Sequence, residues 1–172
     1  MRPSKDDYYL GISEAVSKRS TCLLRRYGAI IVKDDVIVST GYNGAARKVK
    51  DCLELGFCLR IEVEAPQGIG YDFCIGVHAE ENAIIHAARH GASVIDGTLY
   101  LYGEHVKDGS IAEAHPCERC RRAIINAGIK FVVMKKLDGT IEKIDVDRWV
   151  EEDSKNYMDK REKYKGKKIY QV

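Results

Sequence analysis

The chain has 172 residues and 19.4 kDa, the size of one domain, and with 45% hydrophobic against 31% charged residues it can build a core, which excludes wholesale disorder. Formal net charge is +2; residues 151–172 hold seven Lys/Arg and five Asp/Glu, so the remainder is neutral and lacks the basic footprint of a nucleic-acid binder. No apolar run approaches the roughly 18 residues of a membrane span, and Met1-Arg2-Pro3-Ser4 opens no signal-like apolar segment, so a cytoplasmic protein without a membrane partner is expected.

In chain order, Ser4 is placed to cap a first helix, with Asp7 as its box partner. Tyr8, Tyr9, Ile12, Ala15 and Val16 give an apolar stripe up to about residue 19. Two β-rich runs follow, 27–33 and 36–40, joined by a Lys33-Asp34-Asp35 turn as a hairpin. Residues 43–76 keep neither period. So long an irregular connection in a compact domain is usually functional. A helix is predicted over 79–90, with Ala83, Ile84, Ala87 and Ala88 on one face and Gly91 as its stop. A short strand over 99–101 and a loop over 103–115 come next. Pro116 then opens a third helix in its first turn, and Gly128 closes it. A buried strand over 129–134 follows, and strand–helix alternation implies parallel pairing there. A last amphipathic helix contains Trp149, and 151–172 reads as a basic helix or tail of a single domain spanning 1–172.

Six cysteines, Cys22, Cys52, Cys58, Cys74, Cys117 and Cys120, occur without a secretion signal, so metal ligation, catalysis or burial are the options rather than disulfides. Two short strings stand out, His78-Ala79-Glu80 and Pro116-Cys117-Glu118-Arg119-Cys120, each at a predicted helix start. One imidazole and two thiolates make three ligands and leave a fourth position of a tetrahedral zinc for water, the count of a catalytic site. A helix N-terminus favours the thiolate forms. Glu80, two residues after His78, can reach that water without being a ligand. Alone, either string is weak: Cys-x-x-Cys also serves redox sites and structural zinc. His86 and His90, an i,i+4 pair, have no third ligand nearby and read as a polar helix face. His105 and His115 could enter the site through the 103–115 loop; the other reading, the preferred one, is ordinary loop histidines.

Together, in this order, the strings form the signature of zinc nucleobase deaminases. The chain resembles the cytidine/deoxycytidylate deaminase superfamily, most closely its deoxycytidylate (dCMP) branch, over roughly 1–60 and 74–135. Beyond the metal strings, the resemblance rests on Arg2-Pro3-Ser4, Lys18-Arg19-Ser20-Thr21-Cys22, Gly28-Ala29-Ile30-Ile31-Val32 and Gly41-Tyr42-Asn43-Gly44. It also rests on His78-Ala79-Glu80-Glu81-Asn82-Ala83-Ile84 and Ile124-Ile125-Asn126-Ala127-Gly128-Ile129. It implies an α/β fold, a three-layer αβα arrangement around a mixed five-stranded sheet. It implies hydrolysis of dCMP to dUMP and ammonia, with zinc on His78, Cys117 and Cys120, and Glu80 moving protons. Asn43 would contact the nucleotide sugar; the alternative is a turn asparagine with positive φ. Relatives further suggest a second, structural zinc on Cys22, Cys52, Cys58 and Cys74, a hexameric or dimeric assembly, and dCTP and dTTP as effectors.

The chain departs from that branch in one place. His78 and Cys117 lie 39 positions apart, further than usual there, and the extra length falls between Tyr102 and His115. Glu113-Ala114-His115 stands where relatives often carry Thr. Substrate identity is therefore less determined than the chemistry. A nucleotide phosphate needs fixed cations, and Arg25, Arg26 and Arg47 flank the first strands near Asn43. The competing readings are a deaminase of cytidine, dCTP or guanine, and a catalytically silent zinc module; retention of Glu80 speaks against the module.

Overall fold

A computed structural model describes residues 2–66 and 71–167. Helix α1 (Lys5–Ser17) starts where extended Ser4 accepts the Asp7 N–H on its Oγ at 3.0 Å. Asp7 in turn accepts the Ser4 hydroxyl at 2.5 Å, so the box is made through the side chain rather than the cap N–H. The buried face is Tyr9, Leu10, Ser13 and Ser17; Tyr8 and Ala15 of the expected stripe are exposed. The reason lies on strand β1 (Arg25–Lys33). A Cβ on Gly28 would stand 2.1 Å from the Ser13 carbonyl and 2.5 Å from the Ser17 nitrogen, so helix and strand meet backbone to backbone. Only small side chains fit that contact. The Ser13 hydroxyl is shared between the Tyr9 and Tyr100 carbonyls, each at 3.1 Å.

Strand β2 (Val36–Tyr42) returns antiparallel to β1 through Asp34 and Asp35, both with positive φ (49° and 63°), the tight two-residue turn that matches strand twist. Strands β5 (Thr98–His105), β6 (Phe131–Lys135) and β7 (Ile141–Asp145) complete a five-stranded sheet in the order β2-β1-β5-β6-β7. Only β5 and β6 are parallel, as strand–helix alternation implied. Two strand expectations need correction. Strand β5 runs to His105 instead of stopping at 101, because every residue from Thr98 to His105 pairs with β1, from Val32 to Arg25. Strand β7 has no counterpart in the sequence reading; it is a short edge strand with two isoleucines among charges.

Helix α1 covers one face of the sheet, where Tyr9 and Leu10 pack on Ile30, Val32, Tyr100 and Val133. Helices α4 (Ala79–Arg89), α5 (Glu118–Asn126) and α6 (Asp147–Tyr164) cover the other. There Ala83, Ala87, Ile124 and Trp149 meet Ala29, Ile31, Leu99 and Val132. The result is the three-layer αβα arrangement with a mixed five-stranded sheet. Ala88 of the predicted α4 face is exposed, and its place is taken by Ala79 and Glu80. Gly91 and Gly128 end α4 and α5 at φ +68° and +73°. Helix α5 begins at Glu118, so Pro116 lies before the helix rather than in its first turn, and Cys117 is the cap. The tail is ordered as α6 to Tyr164, tied to α5 by Arg121 on Glu152 and Asp153 and by Lys160 on Glu118; its last residues, 168–172, lie outside the described residues. Among the described residues no helix is long and apolar enough to cross a membrane.

The segment 43–76 contains more structure than its sequence suggested. Strands β3 (Gly44–Ala45) and β4 (Gly76–Val77) pair, and two single-turn helices, α2 (Cys52–Leu55) and α3 (Leu59–Glu62), lie between them. Asp51 caps α2, accepting the Leu53 and Glu54 N–H groups, and Glu54 answers on the Asp51 N–H. That Asp-x-x-Glu box was present in the sequence.

The face that carries α4 depends on one glycine. A Cβ on Gly41 would sit 2.3 Å from the Ala83 nitrogen and 2.4 Å from the Ala79 carbonyl. Gly41→Ala therefore pushes α4 off β2 and is expected to cost about 1–3 kcal/mol. Gly11→Ala, in an exposed helical position with open space, should instead stabilise by about 0.5–1 kcal/mol. Urea unfolding of both variants checks the opposite signs; equal midpoints would refute the close-contact account.

Candidate functional site

Helices α4 and α5 start side by side, and three side chains meet at their N-termini. His78 caps α4, Cys117 caps α5, and Cys120 sits one turn into α5. The His78 Nδ1 lies 3.6 Å from the Cys117 Sγ and 3.3 Å from the Cys120 Sγ. Among the described residues this is the one group of three or more His, Cys, Asp or Glu ligand atoms that all lie within 4.8 Å of each other. Its backbone frame is held locally. Glu81 accepts the His78 N–H at 3.3 Å, and Arg119 of α5 pairs with the same Glu81 oxygen at 2.8 Å, locking one helix start to the other.

The electrostatics suit a cation. A hydrogen bond from Cys120, opposed by burial and reinforced by His78, pulls the Cys117 thiol down to about 3. Cys120, buried and facing that sulfur, is pushed well above the ordinary thiol value. The two thiols are thus shifted in opposite directions, and the hydrogen bond to Cys117 raises His78 despite its burial. A borderline-soft divalent metal would find one nitrogen and two sulfur donors here, the donor set zinc prefers. Glu80, in the first turn of α4, is 6% exposed, and burial above all holds its carboxyl above the usual range.

His78, Glu80 and Cys117 line one side of a cavity of about 760 Å³, with Cys120 buried behind them. The sequence-derived residues divide around it. Arg25 and Asn43 line it. Arg26 does not, because alternation along β1 turns it to the opposite face, where it lies 3.4 Å from the buried Glu104, which Lys18 also grips. Arg47 is also outside, bonded at 3.2 Å to the His86 Nε2 while the His86 Nδ1 bonds the Thr40 carbonyl at 2.7 Å. Asn43 has no positive φ. Its Oδ1 accepts the Tyr27 N–H at 2.7 Å, and its Nδ2 donates to the Arg25 carbonyl at 3.0 Å, so its amide is fixed against β1. Each end keeps one further hydrogen-bonding capacity.

Cys22, Cys52, Cys58 and Cys74 also line the cavity, the last three from the 43–76 segment and Cys22 from the connection between α1 and β1. Burial, then Cys58, Cys22 and Cys74 in turn, push the Cys52 thiol up to about 11, which places the four sulfurs in one neighbourhood. They are more loosely grouped than the His78 set.

Several lining residues were not singled out in the sequence. Tyr27 lies flat over Gly103, where a Cβ would meet its ring at 2.5 Å, and its hydroxyl reaches the Glu113 carbonyl at 3.0 Å. Arg60 enters from α3. Both histidines read as loop residues, His105 and His115, line the cavity, and His105 belongs to β5. Only the strand alternation Tyr27–Ala29–Ile31, once the α4 face was known, could have pointed to Tyr27.

Residues 3–136 match the family model described as the cytidine and deoxycytidylate deaminase zinc-binding region. The deoxycytidylate deaminase of Mycobacterium phage D29 is 36% identical over 140 residues, 78% of this chain and 97% of that protein. That of Schizosaccharomyces pombe is 35% identical over 132 residues, 77% of this chain but 37% of the yeast protein, so the chain spans well under half of that relative. The crystal structure of apo dCMP deaminase from cyanophage S-TIM5 superposes with a TM-score of 0.56 at 26% identity, covering 78% of this chain and 85% of that one. The chain belongs to the cytidine and deoxycytidylate deaminase family, whose matched region is zinc-binding.

Removing a donor should therefore remove the metal. His78→Ala and Cys117→Ala are expected to lose the zinc held at the α4–α5 start, while Glu80→Gln keeps it. Zinc per chain, measured after dialysis against a weak chelator, checks this. Full occupancy in either donor variant would refute the ligand set.

Proposed function

We propose that the protein is a zinc-dependent hydrolase converting dCMP to dUMP and ammonia. The observation that carries this reading is the buried carboxyl of Glu80 beside three nitrogen and sulfur donors at the edge of a nucleotide-sized cavity. Membership of the family supports it, as do relatives named deoxycytidylate deaminase, one of which is covered almost end to end. Zinc held by His78, Cys117 and Cys120 would supply Lewis acidity, lowering the pKa of a water ligand towards about 7. Glu80 would do the proton work. With burial raising its carboxyl above the usual range, it would take a proton from the attacking water and pass it to the ring nitrogen N3, then carry the second proton of that water to the departing amine.

The pocket chemistry suggests how the nucleotide lies. Asn43 offers its spare amide capacity to the sugar, and Arg25 and Arg60, the two arginines lining the cavity, are placed for the 5′ phosphate. The His105 and Glu113–His115 stretch contributes the part of the wall in which this chain departs from its relatives. A second, structural zinc on Cys22, Cys52, Cys58 and Cys74 fits the convergence of the four thiols and would order a segment poor in buried apolar contacts. Homo-oligomerisation fits the exposed Leu53, Phe57, Ile61 and Val63 of that segment. A cytoplasmic setting would keep these thiols reduced.

Ammonia release should be measured over a panel of dCMP, deoxycytidine, cytidine, dCTP and guanine. dCMP is expected to be turned over fastest, and Glu80→Gln to lower kcat by about 10²–10⁴-fold with zinc retained. Silence of the wild-type, zinc-loaded protein on the whole panel would favour the interaction module instead. In the same assay, Arg60→Ala should raise KM for dCMP far more than for deoxycytidine. An equal change for both substrates would remove Arg60 from the phosphate site.

A further inference from the structure

Residues 112–117 lead from the loop after β5 to the start of α5 as a stretch outside any helix or strand. Ala112, Ala114 and Pro116 are buried, while Glu113 and His115 between them are exposed and border the cavity. Among the described residues, 113–116 make no backbone–backbone hydrogen bond; the tie just before them is the Ala112 N–H on the Gly103 carbonyl at 2.9 Å. This part of the wall has to be held by a side chain, and Tyr27 of β1 reaches it. Its hydroxyl donates to the Glu113 carbonyl at 3.0 Å.

The ring that carries this hydroxyl is seated by its cross-strand partner. Opposite Tyr27 in the β1–β5 ladder is Gly103, where a Cβ would stand 2.5 and 2.7 Å from two ring carbons, so the ring lies on bare backbone. The main chain of the same residue holds a second side of the cavity. Its N–H donates to the Asn43 Oδ1 at 2.7 Å, and its carbonyl accepts the Asn43 N–H at 3.2 Å. Strand β1 lies between β2 and β5 in the sheet. Asn43, just past β2, and Glu113, beyond β5, therefore come to Tyr27 from its two sides, and both line the cavity.

We propose that Tyr27 is a positioning residue that sets substrate specificity: holding Asn43 through its main chain and Glu113 through its hydroxyl, it fixes the width of the cavity between them. A phenol suits the task, because it spans the gap with only two rotatable bonds. In a cavity of fixed width, one extra methyl group on the ligand costs about 10–200-fold in kcat/KM. A wall free to recede gives that discrimination up. The inference rests on the dCMP reading for its substrates, but not for the pinning of the wall.

The test uses the full, zinc-loaded chain and Tyr27→Phe, which removes the hydroxyl and leaves the ring on Gly103. Two preferences are measured as ratios of kcat/KM: dCMP over 5-methyl-dCMP, one methyl larger on the base, and dCMP over CMP, one hydroxyl larger on the sugar. At least one of them should relax about 10-fold in the variant. KM for dCMP should rise about 5-fold with kcat within about two-fold, since His78, Glu80, Cys117 and Cys120 are placed by α4 and α5. Amide hydrogen exchange at Ala114 and His115 should quicken about 5-fold, the effect of losing one hydrogen bond. With dCMP turned over, both preferences within about two-fold of the parent overturn the inference whatever the exchange shows, and so does exchange within about two-fold of the parent. The exchange needs no substrate. Faster exchange in a protein that turns over none of the three nucleotides sinks the dCMP reading and leaves Tyr27 as the pin of the wall, whereas dCMP turnover with unmoved preferences and exchange does the reverse.

Discussion

Two helix N-termini side by side concentrate partial positive charge, and the rest of the site depends on how that charge is met. Each N-terminus carries roughly half an elementary charge from its unpaired N–H groups. Here the starts of α4 and α5 are held close by Arg119, Glu81 and the His78 backbone. The charge is answered from inside by the Cys117 thiolate and from the first turns by Glu80, Glu81 and Glu118. Within that setting the hydrogen bond with Cys120 draws the Cys117 thiol below the ordinary value, while Cys120 is raised. The donors also stand where a dication would find them together. The sheet makes the approach feasible: with no side chain at Gly41, α4 can lie directly on β2, and Ala79 and Ala83 keep the contact thin.

The same small-residue logic operates on the opposite face, where Gly28 admits Ser13 and Ser17 of α1. Neither contact could be read from apolar periodicity. A buried serine counts as polar in any such pattern, so the α1 stripe was read one residue off, towards Tyr8 and Ala15. What the sequence did make legible were features carried by a local rule: the Ser4 cap, the Asp34-Asp35 turn, the glycine stops at 91 and 128, and the strings that brought His78 and Cys117 to helix starts. The parallel β5–β6 pair followed from order alone. Strand β7 escaped because an edge strand needs only one apolar face, and two isoleucines among charges do not announce it.

The cavity shows a different limit. Spacing placed Arg25 and Arg26 together as one basic cluster, yet strand alternation sends them to opposite faces of the sheet. Arg25 borders the cavity, while Arg26 joins Lys18 around Glu104, a carboxylate 2% exposed on the α1 side. A buried carboxylate without cations would be costly, so Arg26 is committed to compensating it rather than to any ligand. Arg60 was invisible for the converse reason. It sits on a single-turn helix in a segment with no period, and only the folding back of that segment over the β3–β4 pair brings it to the cavity.

The stretch between Tyr102 and His115 gains its meaning from β5. Because β1 pairs with β5 as far as His105, the chain leaves the sheet later than its sequence implied, and Glu104 pairs back with Ile111 to close the excursion as a hairpin-like return. The return delivers Glu113, Ala114 and His115 to the cavity wall just before Cys117, with the Glu113 carbonyl fastened to the Tyr27 hydroxyl. Tyr27 is itself seated on Gly103, so β1, β5 and the returning loop are braced through one aromatic ring. The return thus shapes one wall of the cavity, while His78, Cys117 and Cys120 are placed by the two helix starts.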